Sequence, residues 1–270
     1  MNEQLLGRKN VFKDAILPYT SIGSRKWDNS MKDVWVYTSR IVNLYYVKNT
    51  KGELVMVDAG MPHDAGRIMA DFKKKFGDVK PVAIILTHGH FDHVGSLAEL
   101  VAEWKVPVYA HTAELPYLTG VRDYPEGKAS KKGLVTLLSK TFPNHGINLN
   151  PYIHPLPEDH QVPYLEGWEW IFTPGHTPGH VSLYNPDEKL LLAGDAFVTT
   201  KQESLFHVLT QKFDVNGPPA YFTIDFKESY KSIERLSRLN IEYCATGHGR
   251  VIKSKALIKS EMEKLLKKDL

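Results

Sequence analysis

The sequence predicts an α/β fold, and three observations carry that expectation. Short apolar runs rich in branched residues, such as Val82-Ala83-Ile84-Ile85-Leu86 and Leu190-Leu191-Leu192-Ala193, have the length of buried strands. Between such runs lie amphipathic stretches at helical spacing, from Ala65 to Phe76 and from Lys227 to Leu239. Val57-Asp58-Ala59 is echoed by Gly194-Asp195-Ala196, each a carboxylate delivered at the end of an apolar run, as expected of a fold whose halves resemble each other. At 270 residues and 42% apolar content the chain can bury a large core, and one domain over 1–270 fits better than a string of modules.

Composition removes several classes of function. The net charge is +3, with the positive side chains scattered, so a nucleic-acid partner is not indicated. No apolar run approaches the ~20 residues that span a bilayer, and the Met-Asn-Glu-Gln start lacks a basic region followed by an apolar one, so no leader peptide is expected. No membrane partner and a cytoplasmic location are the expectations. Cys244 is the only cysteine, which excludes an intrachain disulfide and a CxxC metal site. Any metal must be held by nitrogen and oxygen. Nothing in the sequence fixes the oligomeric state.

Taken in order, the first thirty residues read as a short edge strand and a loop. Val34 to Tyr37, Ile41 to Val47 and Leu54 to Val57 read as consecutive antiparallel strands broken by turns such as Asn49-Thr50-Lys51-Gly52. The helix from Ala65 ends in Lys73-Lys74-Lys75 before Gly77, with cations at its negative end. Irregular, proline-rich insertions are expected at about 114–163 and 197–226. The first holds the solitary histidines His145, His154 and His160, and Tyr117, Leu118, Tyr124, Leu137 and Phe142, which either line a pocket or form a small core. Trp168 to Phe172, Val181 to Tyr184, Leu190 to Gly194 and Ile241 to Ala245 read as further strands, and the tail from Ser254 as a helix packed on the sandwich.

The chemistry concentrates in Thr87-His88-Gly89-His90-Phe91-Asp92-His93, where three imidazoles and a carboxylate follow a buried strand and have no hydrophobic reason to be there. In an extended loop His88 and His90 point to one side. A helix is expected from about Asp92 to Glu103, with Asp92 as its N-cap, so Asp92 and His93 address a second point nearby. The spacing suggests two metal positions. Three more strand ends deliver similar residues: Thr173-Pro174-Gly175-His176-Thr177-Pro178-Gly179-His180, Gly194-Asp195-Ala196 and Thr246-Gly247-His248-Gly249.

These motifs, from about Val34 to Gly249, resemble the metallo-β-lactamase-fold hydrolases, in particular the glyoxalase II and lactonase-like branch. The resemblance implies a four-layer αββα sandwich, two mixed sheets flanked by helices. It implies two divalent metal ions, with zinc first and iron or manganese also suited to the donors. One would be held by His88, His90 and His176, the other by Asp92, His93 and His248, with Asp195 bridging. Asp58 and His180 would support the ligands from behind without touching metal. Such a pair of cations holds a water as hydroxide near neutral pH and polarises a carbonyl. The expected reaction is attack of that hydroxide on an ester, lactone or thioester of a small-molecule substrate, with Asp92 carrying a proton to the leaving group.

Departures from the family's branches narrow the substrate. Zinc β-lactamases commonly use a cysteine at the second metal, and this chain offers none there. Only 22 residues follow His248, against the long helical stretch with which glyoxalase II relatives bind glutathione. The best-known homoserine lactonases place a tyrosine three residues after the bridging aspartate, where this chain has Val198; Tyr221 is the candidate substitute. The alternatives are a phosphodiesterase and a mononuclear iron dioxygenase acting on persulfides.

Overall fold

The computed structural model describes residues 26–125 and 148–267. The readings of residues 1–25, Leu137, Phe142 and His145 lie outside the described residues. One sheet runs, in spatial order, β1 (Lys26–Met31), β2 (Val34–Ser39), β3 (Val42–Lys48), β4 (Leu54–Val57), β5 (Ala83–Ile85), β6 (Val108–Ala110) and β7 (Ile153–Pro155). The first four strands pair antiparallel, because tight turns join them; Asn49, for example, accepts the N–H groups of Lys51 and Glu53. From β4 onward the pairing is parallel, which demands crossovers. Helix α1 (Ala65–Phe76) supplies the first, and α2 (Phe91–Val94) with α3 (Leu97–Trp104) the second. The carboxyl end of β5 therefore opens directly on His88.

After β6 come a 3₁₀ turn (Thr112–Glu114) and the short α4 (Leu115–Leu118). The second sheet consists of β8 (Glu169–Phe172), β9 (Val181–Asn185), β10 (Leu190–Leu192) and β11 (Tyr243–Ala245), in the order β11-β10-β9-β8. Its pairs β8/β9 and β9/β10 are antiparallel and β10/β11 parallel. Between β10 and β11 lie α5 (Leu205–Thr210) and α6 (Phe226–Ser237); α7 (Lys255–Lys267) follows β11.

Strand alternation builds four layers. In β3, Leu44 and Tyr46 face α1 and α3, packing with Ile68, Phe72, Leu97 and Trp104. Their neighbours Tyr45 and Val47 face the second sheet and meet Val181, Leu183, Leu190 and Leu192. On the far side of that sheet Leu191 and Cys244 pack under Ile233, Leu236, Ile258 and Met262 of α6 and α7. Each fully buried side chain of this size contributes ~1.5–3 kcal/mol, so β3, buried on both faces, holds two layers at once. The observed architecture is the expected αββα sandwich.

Three local expectations are corrected. The helix expected over Asp92–Glu103 is two helices, because Gly95 runs against the backbone of the β4–α1 connection: a Cβ there would lie 2.2 Å from the nitrogen of Pro62. Ser96 closes the break by donating to the Met61 carbonyl. Asp92 does not cap the helix; His90 stands at that position, and Asp92 lies two residues further on, within the first turn, facing His248. The insertions also contain regular structure. β7 reads Ile-His-Pro and leaves its last two residues exposed, so no apolar alternation marks it.

Candidate metal centre

Every candidate ligand sits at the carboxyl end of a strand or just beyond it, and the structure brings all seven together. His88, His90, Asp92 and His93 follow β5, His176 lies between β8 and β9, Asp195 follows β10 and His248 follows β11. All are buried. Three triads have donor atoms within 4.8 Å of one another: His88, His90 and His176; His88, His93 and Asp195; Asp92, His93 and His248. His248 Nε2 lies 3.2 Å from Asp92 Oδ2 and 3.3 Å from Asp195 Oδ2, and the same Asp195 oxygen is 3.6 Å from His176 Nε2.

Hydrogen bonds behind the histidines fix which nitrogen faces inward. His248 Nδ1 is 2.9 Å from the Ile41 carbonyl, which only accepts, so Nδ1 carries a proton and Nε2 is the nitrogen turned toward the carboxylates. Thr223 donates its hydroxyl to the Pro219 carbonyl and so accepts from His176 Nδ1 at 3.1 Å. Asp58 accepts from His93 Nδ1 at 2.9 Å and from the Thr87 hydroxyl at 2.8 Å, which leaves the Thr87 oxygen to accept from His88 Nδ1 at 3.0 Å. His90 turns its Nδ1 to His176 Nε2 at 2.9 Å. The inner atoms His88 Nε2, His93 Nε2, Asp92 Oδ1 and Asp195 Oδ1 are buried without a hydrogen-bond partner among the described residues. Orphaned polar atoms of this kind are costly, and a divalent cation relieves them.

His180 is different. Its Nε2 accepts the N–H of Asp195 at 2.9 Å, and its Nδ1 lies 2.8 Å from the Thr173 hydroxyl, so neither nitrogen is left for a metal. It holds the backbone of Asp195 instead. Asp58, too, contacts His93 and Thr87 from behind. Tyr221 stands in the field of Asp92 and Asp195: burial first, then Asp92, pushes its hydroxyl well above the usual range. His111 stacks on Phe172 at 4.4 Å and His160 on Trp170 at 4.2 Å, both away from the cluster.

The electrostatics divide the site. Burial, reinforced by neighbouring imidazoles, holds His88 well below its ordinary range, and burial brings His90 down to about 4. For His93 and His248 burial acts the same way, but Asp195 and the other carboxylates outweigh it, raising His93 well above the ordinary range and His248 to about 10. Burial opposes ionisation of Asp195, yet His248 and His93 hold its carboxyl well below the usual range. One side of the cluster thus offers neutral imidazoles; the other carries protons that a cation would replace.

Several functional contacts escape sequence reading. Asn43 of β3 grips the His248 loop, donating to the carbonyls of Thr246 at 2.8 Å and Gly249 at 2.9 Å. Thr223 and Ile41 lie in segments with no motif. Only Thr87, adjacent to His88, sits inside the motif itself.

Residues 37–248 match the family model of the metallo-beta-lactamase superfamily. The chain is 46% identical over 240 residues to the probable metallo-hydrolase YflN of Bacillus subtilis, covering 87% of this chain and 91% of that one. Among solved structures it is similar to the BLEG-1 B3 metallo-beta-lactamase, with a TM-score of 0.59 and 25% identity over 84% of this chain and 94% of that one. It is also similar to TTHA1623 in a di-iron-bound form, with a TM-score of 0.55 and 25% identity over 87% and 96%. The chain belongs to the metallo-beta-lactamase superfamily. Family, fold and site together define a metal-dependent hydrolase.

Proposed function

We propose that the chain is a dinuclear hydrolase of esters, lactones or thioesters. The observation that carries this reading is the backing of four histidines by acceptors, which directs their inner nitrogens, with two carboxylates, onto one buried centre. His88, His90 and His176 would hold one divalent ion, Asp92, His93 and His248 the other, and Asp195, with one oxygen near His176 and His248 and the other 3.6 Å from His93 Nε2, would span both. Such ions, when bound, supply a Lewis acid for the carbonyl oxygen and an acidified water. Imidazole and carboxylate donors suit zinc, and the di-iron form of one structural relative makes iron the first competitor.

The chain's own residues then divide the work. Asp92 is held ionised by His93 and His248 against the opposing effect of burial, and its Oδ1 has no hydrogen-bond partner among the described residues, so it is placed to take a proton and pass it toward the leaving group. Tyr221 stands beside Asp92 to contact substrate. Tyr124 and Phe222 pack on His90, each with ring centroids 4.9 Å away, and exclude water from that side. Uncharged walls there favour a carbonyl substrate over a phosphodiester. A mononuclear dioxygenase would leave the Asp92, His93 and His248 triad without a task.

Elemental analysis of the purified chain, followed by assays on ester, lactone, thioester and phosphodiester panels, tests the reading. Two equivalents of metal and turnover of a carbonyl substrate are expected. One iron per chain with oxygen consumption on a persulfide overturns it.

A further inference from the structure

Glu114, in the 3₁₀ turn after β6, is a fully buried carboxylate outside the donor cluster. Its Oε2 accepts the Gly89 N–H at 3.0 Å and the Tyr124 hydroxyl; its Oε1 accepts the Gly179 N–H at 2.6 Å and the Thr177 hydroxyl at 2.8 Å. Gly89 lies between His88 and His90, while Thr177 and Gly179 lie in the loop of His176. One side chain therefore joins two loops whose histidines meet at the centre.

The glycines at these points are there for space. A Cβ on Gly179 would lie 2.7 Å from Glu114 Cγ and 2.8 Å from its Oε1; one on Gly89 would lie 2.3 Å from the Tyr124 hydroxyl oxygen. Neither glycine has a positive φ, so backbone freedom does not explain them. The small residues of the two histidine motifs make room for a carboxylate and a phenol supplied by a third segment.

We propose that Glu114 is a positioning residue for the metal centre: its carboxylate staples the His88–His90 loop to the His176 loop and sets the spacing of the three imidazoles. The inference rests on the metal site proposed above. Four donors converge on one buried anion, so losing it strands two backbone N–H groups and frees both loops at once. The Tyr124 ring, packed on His90 and stacked on Tyr117 at 4.0 Å, is held through the same carboxylate.

The test is zinc titration of the metal-free 270-residue chain against a chromophoric chelator, with the visible spectrum of the cobalt-loaded protein as a second readout and circular dichroism as the folding control. Glu114→Gln keeps the length but turns an N–H₂ toward one of the loops, and zinc affinity should fall at least tenfold, with an altered cobalt spectrum. A folded Glu114→Gln with zinc affinity within threefold of wild type and an unchanged spectrum overturns the staple while leaving the hydrolase reading intact. A wild-type chain that binds no metal overturns both. If Glu114→Gln does not fold, Glu114→Asp decides by the same criterion, since it retains the buried charge but is one methylene too short to reach both loops.

Discussion

Asp58 Oδ2 lies 2.9 Å from His93 Nδ1, and the same oxygen accepts the hydroxyl of Thr87, which in turn sits 3.0 Å from His88 Nδ1. One carboxylate at the end of β4 thus orients two histidines, one directly and one through a threonine. Asp58→Ala should weaken zinc binding ten- to a hundredfold, the usual loss for an outer partner of a metal-bound histidine. Chelator competition checks this; affinity unchanged in a folded variant would show that His88 and His93 are oriented by packing alone.

His90 turns its Nδ1 to His176 Nε2 with no backing carbonyl or carboxylate among the described residues, and its ring packs on those of His88, Tyr124 and Phe222. His90→Ala should abolish turnover, by roughly a thousandfold or more, as expected when an activating ligand is removed. The circular dichroism spectrum should stay native, since no strand depends on this side chain. Retained turnover would remove His90 from the site.

Gly247 leaves room for the bridging candidate. A Cβ there would lie 2.1 Å from Asp195 Oδ1 and 2.8 Å from His93 Cε1. Gly247→Ala should push the carboxylate aside, lower stability by ~1–3 kcal/mol as overpacking does, and reduce the amount of bound metal. Metal stoichiometry together with a denaturation curve separates the two effects.

Alkaline pH should destabilise the fold from its interior. The hydroxyls of Tyr45 and Tyr46 are buried with no hydrogen-bond partner among the described residues, and burial pushes both well above the usual 10.0. Burial likewise pushes the Cys244 thiol up from 9.0. A folded pKa raised above the unfolded one contributes stability that is present below the unfolded value and lost as pH rises past it. The denaturation midpoint should therefore fall between pH 8 and pH 11, and Tyr46→Phe should flatten that fall. A midpoint that holds steady to pH 11 contradicts the burial of these groups. The same burial should make Cys244 unreactive toward thiol reagents until the chain unfolds.

Much of the fold was legible because periodicity is a local property. The antiparallel β2, β3 and β4, the helices α1 and α6 and the strands β8 to β11 follow from apolar runs and turn residues within a few positions. Where local pattern failed, a distant contact was responsible. Gly95 breaks a helix because the Met61-Pro62 backbone passes beside it, and β7, nearly devoid of apolar alternation, is a strand only because β6 offers an open edge. Glu114 carried no motif, and Tyr124 stood only among residues that line a pocket or fill a core.

Taken alone, the order of residues determined which donors this protein has: histidines and aspartates at strand ends, no second cysteine, and the glycines and prolines that turn each loop. Tertiary structure decided how those donors are aimed. The proton on His248 is placed by the carbonyl of Ile41, 207 positions away, and that on His176 by Thr223, 47 positions away. A ring nitrogen's direction depends on whichever acceptor stands behind it, and that acceptor is brought there by two sheets packing face to face, so no local stretch of sequence can specify it.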